Sequence, residues 1–289
     1  QMSFREVLAM NTGPLVSIII RTCGRPHILQ FAVKSALGQT YRPLEIVIIE
    51  DGANISEDFI SQKYPDACIK YASTGRHVGR AQAGNAGMVL ASGKYLNFLD
   101  DDDILYPNHV EILVNKLECE HGNAAYTAAK ECLVIKKKKP PYYAALMKFV
   151  RFRQPYSRLL LMQRNYLPIQ SVMFSKQLFE AYGGFDITMD QLEDWDLWVR
   201  YSLNTSFFFV DQITSEYKVP LFGKQGLERS RKLAAASRRL QDKYKTYSYS
   251  STAYDIGRDV EYLISQYNAS PIKRLRKWAG RCMRMAWKL

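Results

Sequence analysis

The sequence predicts an α/β protein with a mostly parallel, Rossmann-like sheet flanked by helices and a basic helical extension at the C-terminus. Short β-branched runs alternate with helical patterns through the first 120 residues, which is typical of such a sheet. The chain has 289 residues, 47% of them apolar, so it can bury a sizeable core. Basic residues are concentrated after Pro220, and the part before it is nearly neutral.

The first half of the chain predicts four parallel strands and the helices between them. The strands are Val16 to Ile20, Leu44 to Ile49, Cys68 to Ala72 and Tyr95 to Leu99. Pro26 begins the first helix, and a helix of small residues runs from about Arg80 to Ala91 before Gly93. Parallel strands end at one edge of the sheet, where ligands of doubly wound sheets bind. We therefore expect Asp51 and the run Asp100 to Asp103 at that edge.

The second half is less regular. Residues 136 to 168 predict a mobile loop with short helices over one side of the site. Order returns with a strand, a helix, a turn and a second helix: Ile169 to Ser175, a helix to Tyr182, Gly183 to Asp186, and Glu193 to Ser202. After Pro220 three helical patterns follow, the last from Pro271 to Leu289.

Charge excludes some classes of protein. Residues 1 to 220 carry 24 Lys and Arg against 23 Asp and Glu, a net of +1, and residues 221 to 289 carry 16 against 5, a net of +11. A nucleic-acid groove across the main body is not expected, because phosphate binding needs basic residues over the whole contact face.

No apolar run reaches the length of a transmembrane helix. The five cysteines are scattered without a CxxC pair, which predicts neither a disulfide framework nor a zinc site and suits a reducing cytosol.

Four consecutive aspartates at the end of a buried strand repel one another and lose solvation, so a cation is expected beside them. Carboxylate oxygens are ligands that Mg²⁺ prefers, often together with substrate phosphates. The alternative is a solvated acidic loop in which Asp103 interacts with the dipole of the next helix.

Two further acidic sites have similar alternatives. Asp51-Gly52 either forms only an ordinary turn after a strand, or the Asp51 carboxylate also accepts a hydrogen bond from a nucleobase or ribose. Glu193-Asp194 at the start of a helix caps that helix, or it supplies a general base for an acceptor hydroxyl.

Five motifs together resemble the inverting family 2 glycosyltransferases, which have a GT-A fold. The motifs are the run Val16 to Pro26, Glu50 to Gly52, Asn85 to Gly87 ahead of Ala91 to Tyr95, Phe98 to Asp103, and Gly183 to Asp186 with Glu193 to Leu197. The resemblance covers residues 14 to 218 and implies a GT-A domain over 1–220. Its nucleotide-sugar half would span about 14–106, its acceptor half about 107–220, and the basic extension 221–289.

The resemblance also implies roles for individual residues. Asp194 would be the catalytic base, and Asp102 with Asp100 would hold Mn²⁺ or Mg²⁺. The implied nucleotide-sugar ligands are Thr22, Arg25, Asp51, Arg80, Asn85, Asp100 and Asp101. The acceptor side would include Glu193, Trp195 and Gln170.

Three departures from the family pattern change these expectations. Cys23-Gly24 replace the usual Tyr-Asn, which alters part of the base pocket. Gly84 stands where an Arg usually precedes Asn85, and Arg80 is a substitute one turn earlier. No His follows Tyr217, so Lys218 or Lys224 would supply the cation there, and His77 is expected to be structural.

The sequence thus predicts an inverting, metal-dependent transferase that uses a UDP-sugar, or next a dTDP-sugar, and a glycan or lipid-linked acceptor. The alternatives are a sugar-phosphate nucleotidyltransferase and a non-catalytic nucleotide-sugar-binding module. Residues 271–289 hold seven basic residues and an apolar strip at helical spacing, which predicts either an anionic membrane contact or docking on the catalytic domain. The first alternative places the enzyme in the cytoplasm, at the inner face of the cell membrane.

Overall fold

The computed structural model describes residues 13–137, 139–189, 191–220 and 224–269. Its strands are β1 (Val16–Thr22), β2 (Leu44–Glu50), β3 (Ile69–Ser73), β4 (Tyr95–Asp100), β5 (Ile104–Leu105), β6 (Ala124–Lys136), β7 (Tyr143–Val150), β8 (Val172–Ser175) and β9 (Phe207–Pro220). Its helices are α1 (Pro26–Leu37), α2 (Glu57–Lys63), α3 (Arg80–Leu90), α4 (His109–Cys119), α5 (Arg158–Gln163), α6 (Lys176–Tyr182), α7 (Glu193–Ser202), α8 (Lys224–Lys243) and α9 (Ala253–Ala269), and a 3₁₀ turn spans Ile169–Ser171.

The strands form one sheet in the order β3-β2-β1-β4-β8-β6-β9-β5, with β7 paired to β6 beside this path. The four strands β3, β2, β1 and β4 are parallel, and β8 then pairs antiparallel with both β4 and β6. The predicted α/β class is confirmed. Chain order reverses about β1, and this places a crevice beyond the carboxyl ends of β1 and β4.

The core explains why β1 is buried along its whole length. Side chains alternate across a strand, so Ile18 and Ile20 share one face and Ile19 lies on the other. The first face packs in one cluster with Leu29 of α1 and Leu113 of α4. On the opposite face α3 approaches so closely that a Cβ on Gly87 would overlap Ile19. Helices thus cover both faces, as parallel sheets require.

The segment from 136 to 168 differs from its prediction as a mobile loop with short helices. It contains the strand β7, which pairs antiparallel with β6 from Lys136↔Tyr143 to Lys130↔Val150, and the helix α5. The alternation that marks a half-buried strand is missing because side chains on both faces of β7 are exposed. Pairing with a distant strand stabilises β7, and local sequence patterns do not report such pairing.

Helix α8 belongs to the same compact unit as the sheet, and this unit runs to residue 245. The amine of Lys243 lies 2.7 Å from Asp186 Oδ2 and 2.7 Å from Asp196 Oδ1. The hydroxyl of Tyr244 donates to Asp196 Oδ1 at 2.9 Å. These contacts join the C-terminal end of α8 to the unit that contains the sheet.

A second unit begins at residue 246 and includes α9. The predicted helix from Pro271 to Leu289 lies outside the described residues. Among the residues that are described, no helix combines the length and the apolar character needed to cross a bilayer.

Candidate active site

A cleft of about 710 Å³ opens where β1, β2 and β4 end. Six acidic residues line it: Asp51, Asp100, Asp102, Asp103, Glu193 and Asp194. Seven basic residues line it as well: Arg21, Arg25, Arg80, Lys136, Arg151, Lys218 and Lys232. The three acidic sites predicted from separate parts of the sequence therefore meet in one cleft. The mixture of charges suits a substrate with both anionic phosphates and polar hydroxyl groups.

The aspartate run alternates between the cleft and the interior. Asp100 and Asp102 face the cleft, and Asp101 between them is fully buried. Its carboxylate accepts hydrogen bonds from Thr22 Oγ1 at 2.7 Å and from Arg25 Nε at 3.0 Å. Burial and the charge of Asp102 raise the pKa of Asp101 to about 7, against the opposing effect of Arg25. Asp101, which the sequence analysis assigned to the nucleotide-sugar, is thus not among the residues that line the cleft, and its carboxylate holds Thr22 and Arg25.

Thr22 and Arg25 line the cleft, and both also hold the aspartate run. The hydroxyl of Thr22 is committed to Asp101 and buried, so its main contact is structural. The side chain of Arg25 is 38% exposed, and its Nη1 lies 3.9 Å from Asp102 Oδ2. Of these two residues, Arg25 is therefore the one that can contact a ligand in the cleft.

Arg21 is a site residue that the sequence analysis did not identify. It is buried at the end of β1, in register with Asp100 of β4. Its Nη2 donates to Asp100 Oδ1 at 2.7 Å, and its Nη1 donates to Glu193 Oε1 at 2.9 Å. Burial raises the pKa of Asp100, but the charges of Arg21, Arg80 and Arg25 and the hydrogen bond from Arg21 together outweigh it and hold that pKa below its ordinary value. Arg21 therefore links two of the three acidic sites and helps to keep Asp100 ionised.

Asp102 presents its carboxylate to the cleft, where Tyr143 Oη donates to Oδ2 at 2.9 Å. Together with Asp100 it supplies hard oxygen donors, which suit Mg²⁺ or Mn²⁺. The pair fits the divalent cation that the resemblance implies.

Lys218 occupies the position for which a compensating cation was expected. Its backbone N–H donates to Asp103 Oδ1 at 2.9 Å, and its amine donates to the carbonyl oxygen of Asp102. The side chain of Lys224, the other cation considered, lies outside the described residues. Burial raises the pKa of Asp103 well above its ordinary value, and the charges of Asp102 and Asp100 raise it further. Asp103 is thus an internal acceptor for the β9 backbone and not a helix cap.

Asp194 is half-buried at the start of α7 and lines the cleft. Its Oδ2 accepts from Asn165 Nδ2 at 2.9 Å, and its Oδ1 accepts from the backbone N–H of Trp195 at 2.8 Å. Burial and the adjacent charge of Glu193 raise the pKa of Asp194 to about 7. A carboxylate with a pKa near the working pH is suited to act as a general base.

Glu193 is 2% exposed and is held mainly by Arg21. Arg80 Nη1 lies 3.7 Å from Glu193 Oε1, and the side chain of Arg80 is half-exposed in the cleft. It places a positive charge near position 84, where the family usually has an arginine. Gly84 leaves no room for that arginine, because a Cβ there would lie 2.5 Å from Phe185 Cε2.

Asp51 is nearly buried at the end of β2. Its carboxylate accepts from the backbone N–H groups of Val78 at 2.7 Å and Gly79 at 3.1 Å, and His77 Nδ1 lies 2.7 Å from Oδ2. The backbone hydrogen bonds fix the carboxylate, and it lines one end of the cleft.

Of three further residues predicted for the site, two lie away from the cleft lining and one lies in it. Asn85 does not line the cleft, because its amide bonds both the N–H and the carbonyl of Phe185 and so holds the predicted turn. Trp195 is buried, and its indole donates to the carbonyl of Leu161. Neither of these two residues is among those that line the cleft. Gln170 lines the cleft from the 3₁₀ turn, where it is 1% exposed and its amide has no hydrogen-bond partner among the described residues.

Solved structures share this fold. A crystal structure of S. aureus TarS in complex with UDP has a TM-score of 0.62 and 15% identity, over 88% of this chain and 72% of that chain. The mannosyltransferase PcManGT from Pyrobaculum calidifontis, in complex with GDP-Man and Mn²⁺, has a TM-score of 0.60 and 13% identity, over 95% of this chain and 81% of that chain. At such identities the likeness shows the fold alone, which is GT-A.

Curated relatives are closer in sequence. Uncharacterized glycosyltransferases of Rickettsia typhi and Rickettsia prowazekii are both 28% identical, over 73% and 72% of this chain. These alignments span 66% and 64% of the relatives, just under two thirds of their length. WcaA of Escherichia coli, a putative colanic acid biosynthesis glycosyl transferase, is 28% identical over 66% of this chain and 67% of its own.

The family model of glycosyl transferase family 2 matches residues 17–182. That match covers more than half of the chain and includes the strands β1 to β4, whose carboxyl ends hold Asp51 and the aspartate run. The fold, the acidic cleft and this match agree, and the chain belongs to glycosyl transferase family 2.

Proposed function

We propose that this chain is an inverting, metal-dependent glycosyltransferase that transfers a sugar from a nucleotide-sugar to a hydroxyl group of a glycan or lipid-linked acceptor. The observation that carries the proposal is a single cleft that holds an oxygen-ligand pair, Asp100 and Asp102, and a separate carboxylate, Asp194, with a pKa near 7. The family match favours this function over a sugar-phosphate nucleotidyltransferase.

The donor is a nucleotide-sugar, with its nucleobase at the end of the cleft where Asp51 lies. A fixed carboxylate acceptor recognises the N–H groups of a base or the hydroxyls of a ribose. UDP-sugars are favoured because structures of TarS contain UDP and UDP-GlcNAc, and dTDP-sugars come next. The GDP-Man in PcManGT indicates that the fold alone does not decide the base.

The diphosphate is placed near Asp100 and Asp102, which would hold Mn²⁺ or Mg²⁺. A divalent cation bound there supplies Lewis-acid stabilisation of the charge that develops on the leaving diphosphate. Arg25 and Lys218 line the same part of the cleft and add fixed positive charge. Arg21, Arg80 and Arg25 lower the pKa of Asp100, and this favours the ionised form that a metal ligand needs.

Asp194 removes the proton from the acceptor hydroxyl as its oxygen forms a bond to the anomeric carbon. The bond from that carbon to the phosphate oxygen breaks, and the electron pair leaves with the nucleoside diphosphate. Attack opposite the leaving group inverts the configuration. Asn165 and the Trp195 N–H fix the carboxylate, and Gln170 and Glu193 stand on the acceptor side as hydrogen-bonding groups of the cleft.

The variant Asp194→Asn tests the base assignment. Release of nucleoside diphosphate from UDP-sugars in the presence of Mn²⁺ should fall by about 10²–10⁴-fold, because general-base catalysis contributes about that factor. Binding of the donor, measured by calorimetry, should stay within about threefold. Asp66→Asn, at an exposed aspartate that does not line the cleft, serves as the matched control. Unchanged turnover in Asp194→Asn would remove this residue as the base, and loss of turnover in the control would make the result uninterpretable as a specific effect.

The metal assignment has a separate test in Asp102→Asn. The affinity for UDP in the presence of Mn²⁺ should fall about tenfold or more, and the difference between Mn²⁺ and EDTA should shrink. If UDP binding proves indifferent to both the ion and the substitution, Asp102 is not a metal ligand.

A role in surface polysaccharide synthesis and a place at the membrane are further parts of the proposal. WcaA, a relative, is named for colanic acid biosynthesis. The sequence of residues 271–289 combines seven basic residues with an apolar strip, and each basic residue near an anionic surface contributes about 1 kcal/mol. Deleting 271–289 should release the protein from anionic vesicles and leave release of UDP unchanged. Retention on the vesicles after the deletion would contradict this role.

A further inference from the structure

Cys23, Asp51 and His77 meet at one end of the cleft. The potential ligand atoms of the three side chains lie within 4.8 Å of one another. Each follows a different strand of the parallel part of the sheet: Cys23 follows β1, Asp51 follows β2, and His77 comes after β3. We propose that these three residues form a binding site for a zinc-type transition-metal ion, distinct from the oxygen-ligand pair Asp100 and Asp102.

The distances are close to those of a zinc site. His77 Nδ1 lies 2.7 Å from Asp51 Oδ2, and Cys23 Sγ lies 4.0 Å from His77 Nδ1. Around a tetrahedral Zn²⁺, with bonds of about 2.3 Å to sulfur and about 2.0–2.1 Å to nitrogen and oxygen, the N–O and S–N separations are about 3.4 and 3.6 Å. The N–O separation therefore needs to widen by about 0.7 Å and the S–N separation to shorten by about 0.4 Å. The side chain of His77 is 73% exposed and Cys23 is exposed, so both can make this adjustment.

Asp51 is the fixed member of the set. The backbone N–H of Val78 donates to Oδ1, and that of Gly79 donates to Oδ2 at 3.1 Å. A carboxylate oxygen has two lone pairs, so Oδ2 keeps one that is directed toward His77 Nδ1. The carboxylate is thus positioned by the backbone before any ion binds, and this limits the entropy cost of assembling the site.

The ligand types separate this site from the aspartate run. A thiolate, an imidazole and one carboxylate suit Zn²⁺ and related ions, whereas an all-oxygen set suits Mg²⁺ and Mn²⁺. Three protein ligands leave a fourth position for water or for an atom of a bound molecule. The sequence analysis predicted no zinc site because the cysteines form no CxxC pair. The ligands of the proposed site are brought together by three parallel strands and not by local spacing.

Metal bound here would occupy the carboxylate that the proposed function assigns to the nucleobase. Cys23 and Asp51 both line the cleft. Zinc is therefore expected to compete with nucleotide, and this consequence, unlike the metal site itself, rests on the proposed function.

Zinc binding is measured first without nucleotide, by competition with a chromophoric chelator on untagged full-length protein. The variants are Cys23→Ser and His77→Gln, and the matched controls are the exposed Cys68→Ser and His27→Gln. The wild type and both controls should bind one Zn²⁺ more than the two site variants do, or bind it at least tenfold more tightly. With Co²⁺ as the probe, a thiolate-to-metal absorption band should appear in the wild type and be absent in Cys23→Ser. Equal affinity in wild type and both site variants, or no zinc binding by the wild type, would overturn the proposal, and thermal melts of all five proteins check that each is folded.

The second measurement is UDP affinity in the presence of Mn²⁺, with and without zinc. Zinc should weaken UDP binding to the wild type and leave His77→Gln unaffected. If zinc binds without changing the affinity for UDP, the proposed metal site stands and the proposed competition with nucleotide is overturned. A wild type that binds no nucleotide in zinc-free buffer would refute the proposed function and leave the chelator result standing.

Discussion

The raised pKa of Asp194 predicts that this carboxylate destabilises the fold at neutral pH. A group placed for catalysis commonly costs stability, because its charged form is buried beside a like charge. Replacing it by Asn removes the charge and keeps the shape. The amide oxygen can still accept from the Trp195 N–H, but the hydrogen bond from Asn165 Nδ2 is lost. That loss is the same at every pH, so the pH dependence of the difference isolates the cost of ionisation. Asp194→Asn should therefore be more stable than the wild type above pH 7.

The magnitude follows from the shift. The pKa of Asp194 is raised from 3.8 to about 7, and each unit corresponds to about 1.4 kcal/mol. Between these two values the folded protein binds more protons at this group than the unfolded chain, so its contribution to stability falls as the pH rises. Below about pH 3 the group is largely protonated in both states and the variant has no advantage. The advantage should grow by about 2–3 kcal/mol between pH 5 and pH 8 and reach about 4 kcal/mol at most.

Urea unfolding of the wild type and Asp194→Asn at several pH values between 5 and 8.5 measures this difference. Asp66→Asn again serves as the control, since this exposed aspartate should give a difference that does not change with pH. The pKa values of Asp101 and Asp103 are raised in both proteins and cancel in the comparison. A difference for Asp194→Asn that is independent of pH, or that shrinks as the pH rises, would refute the reasoning.

Three more predictions concern the same cleft. The rate of donor turnover at low substrate should rise about tenfold per pH unit up to about pH 7 and then level off, because Asp194 must be unprotonated to act; a flat profile contradicts this. Arg21→Met should lower the free energy of unfolding by about 3–5 kcal/mol, since Asp100 and Glu193 would lose their buried partner; urea unfolding measures it, and a loss under 1 kcal/mol contradicts it. Asn85→Ala should cost about 1–3 kcal/mol through its two hydrogen bonds to the turn, with donor affinity little changed; lost affinity at unchanged stability would restore Asn85 as a ligand.

The parallel half of the sheet could be predicted because its signals are local. The strands around Ile18 and Ile46 are continuous apolar runs, since helices cover both of their faces. Pro26 marks the start of helix α1, and Gly93 comes shortly after the end of helix α3. From the strand ends alone, Asp51 and Asp100 could be assigned to one edge, and the structure places both in the cleft.

What the sequence did not reveal depends on long-range pairing. Strand β7 has no alternating pattern and exists through its ladder with β6. Arg21 looks like any residue at the end of a strand until β4 places Asp100 beside it. The burial of Asp101 follows from a turn that begins after β4, in which the Asp103 N–H donates to the Asp100 carbonyl oxygen, and strand periodicity does not predict it. Asn85 and Trp195 occur in motifs of the family but serve the turn at Phe185 and the packing of α5.

The central claim is that the cleft binds a nucleotide-sugar with the help of a divalent cation. A thermal-shift panel of UDP-, dTDP- and GDP-sugars, each with Mn²⁺ and with EDTA, tests it most directly. A cognate donor at 100 times its Kd should stabilise the protein by about 2.7 kcal/mol with Mn²⁺, and by clearly less with EDTA. If every nucleotide-sugar leaves the melting temperature unchanged with Mn²⁺ and with Mg²⁺, the claim is contradicted.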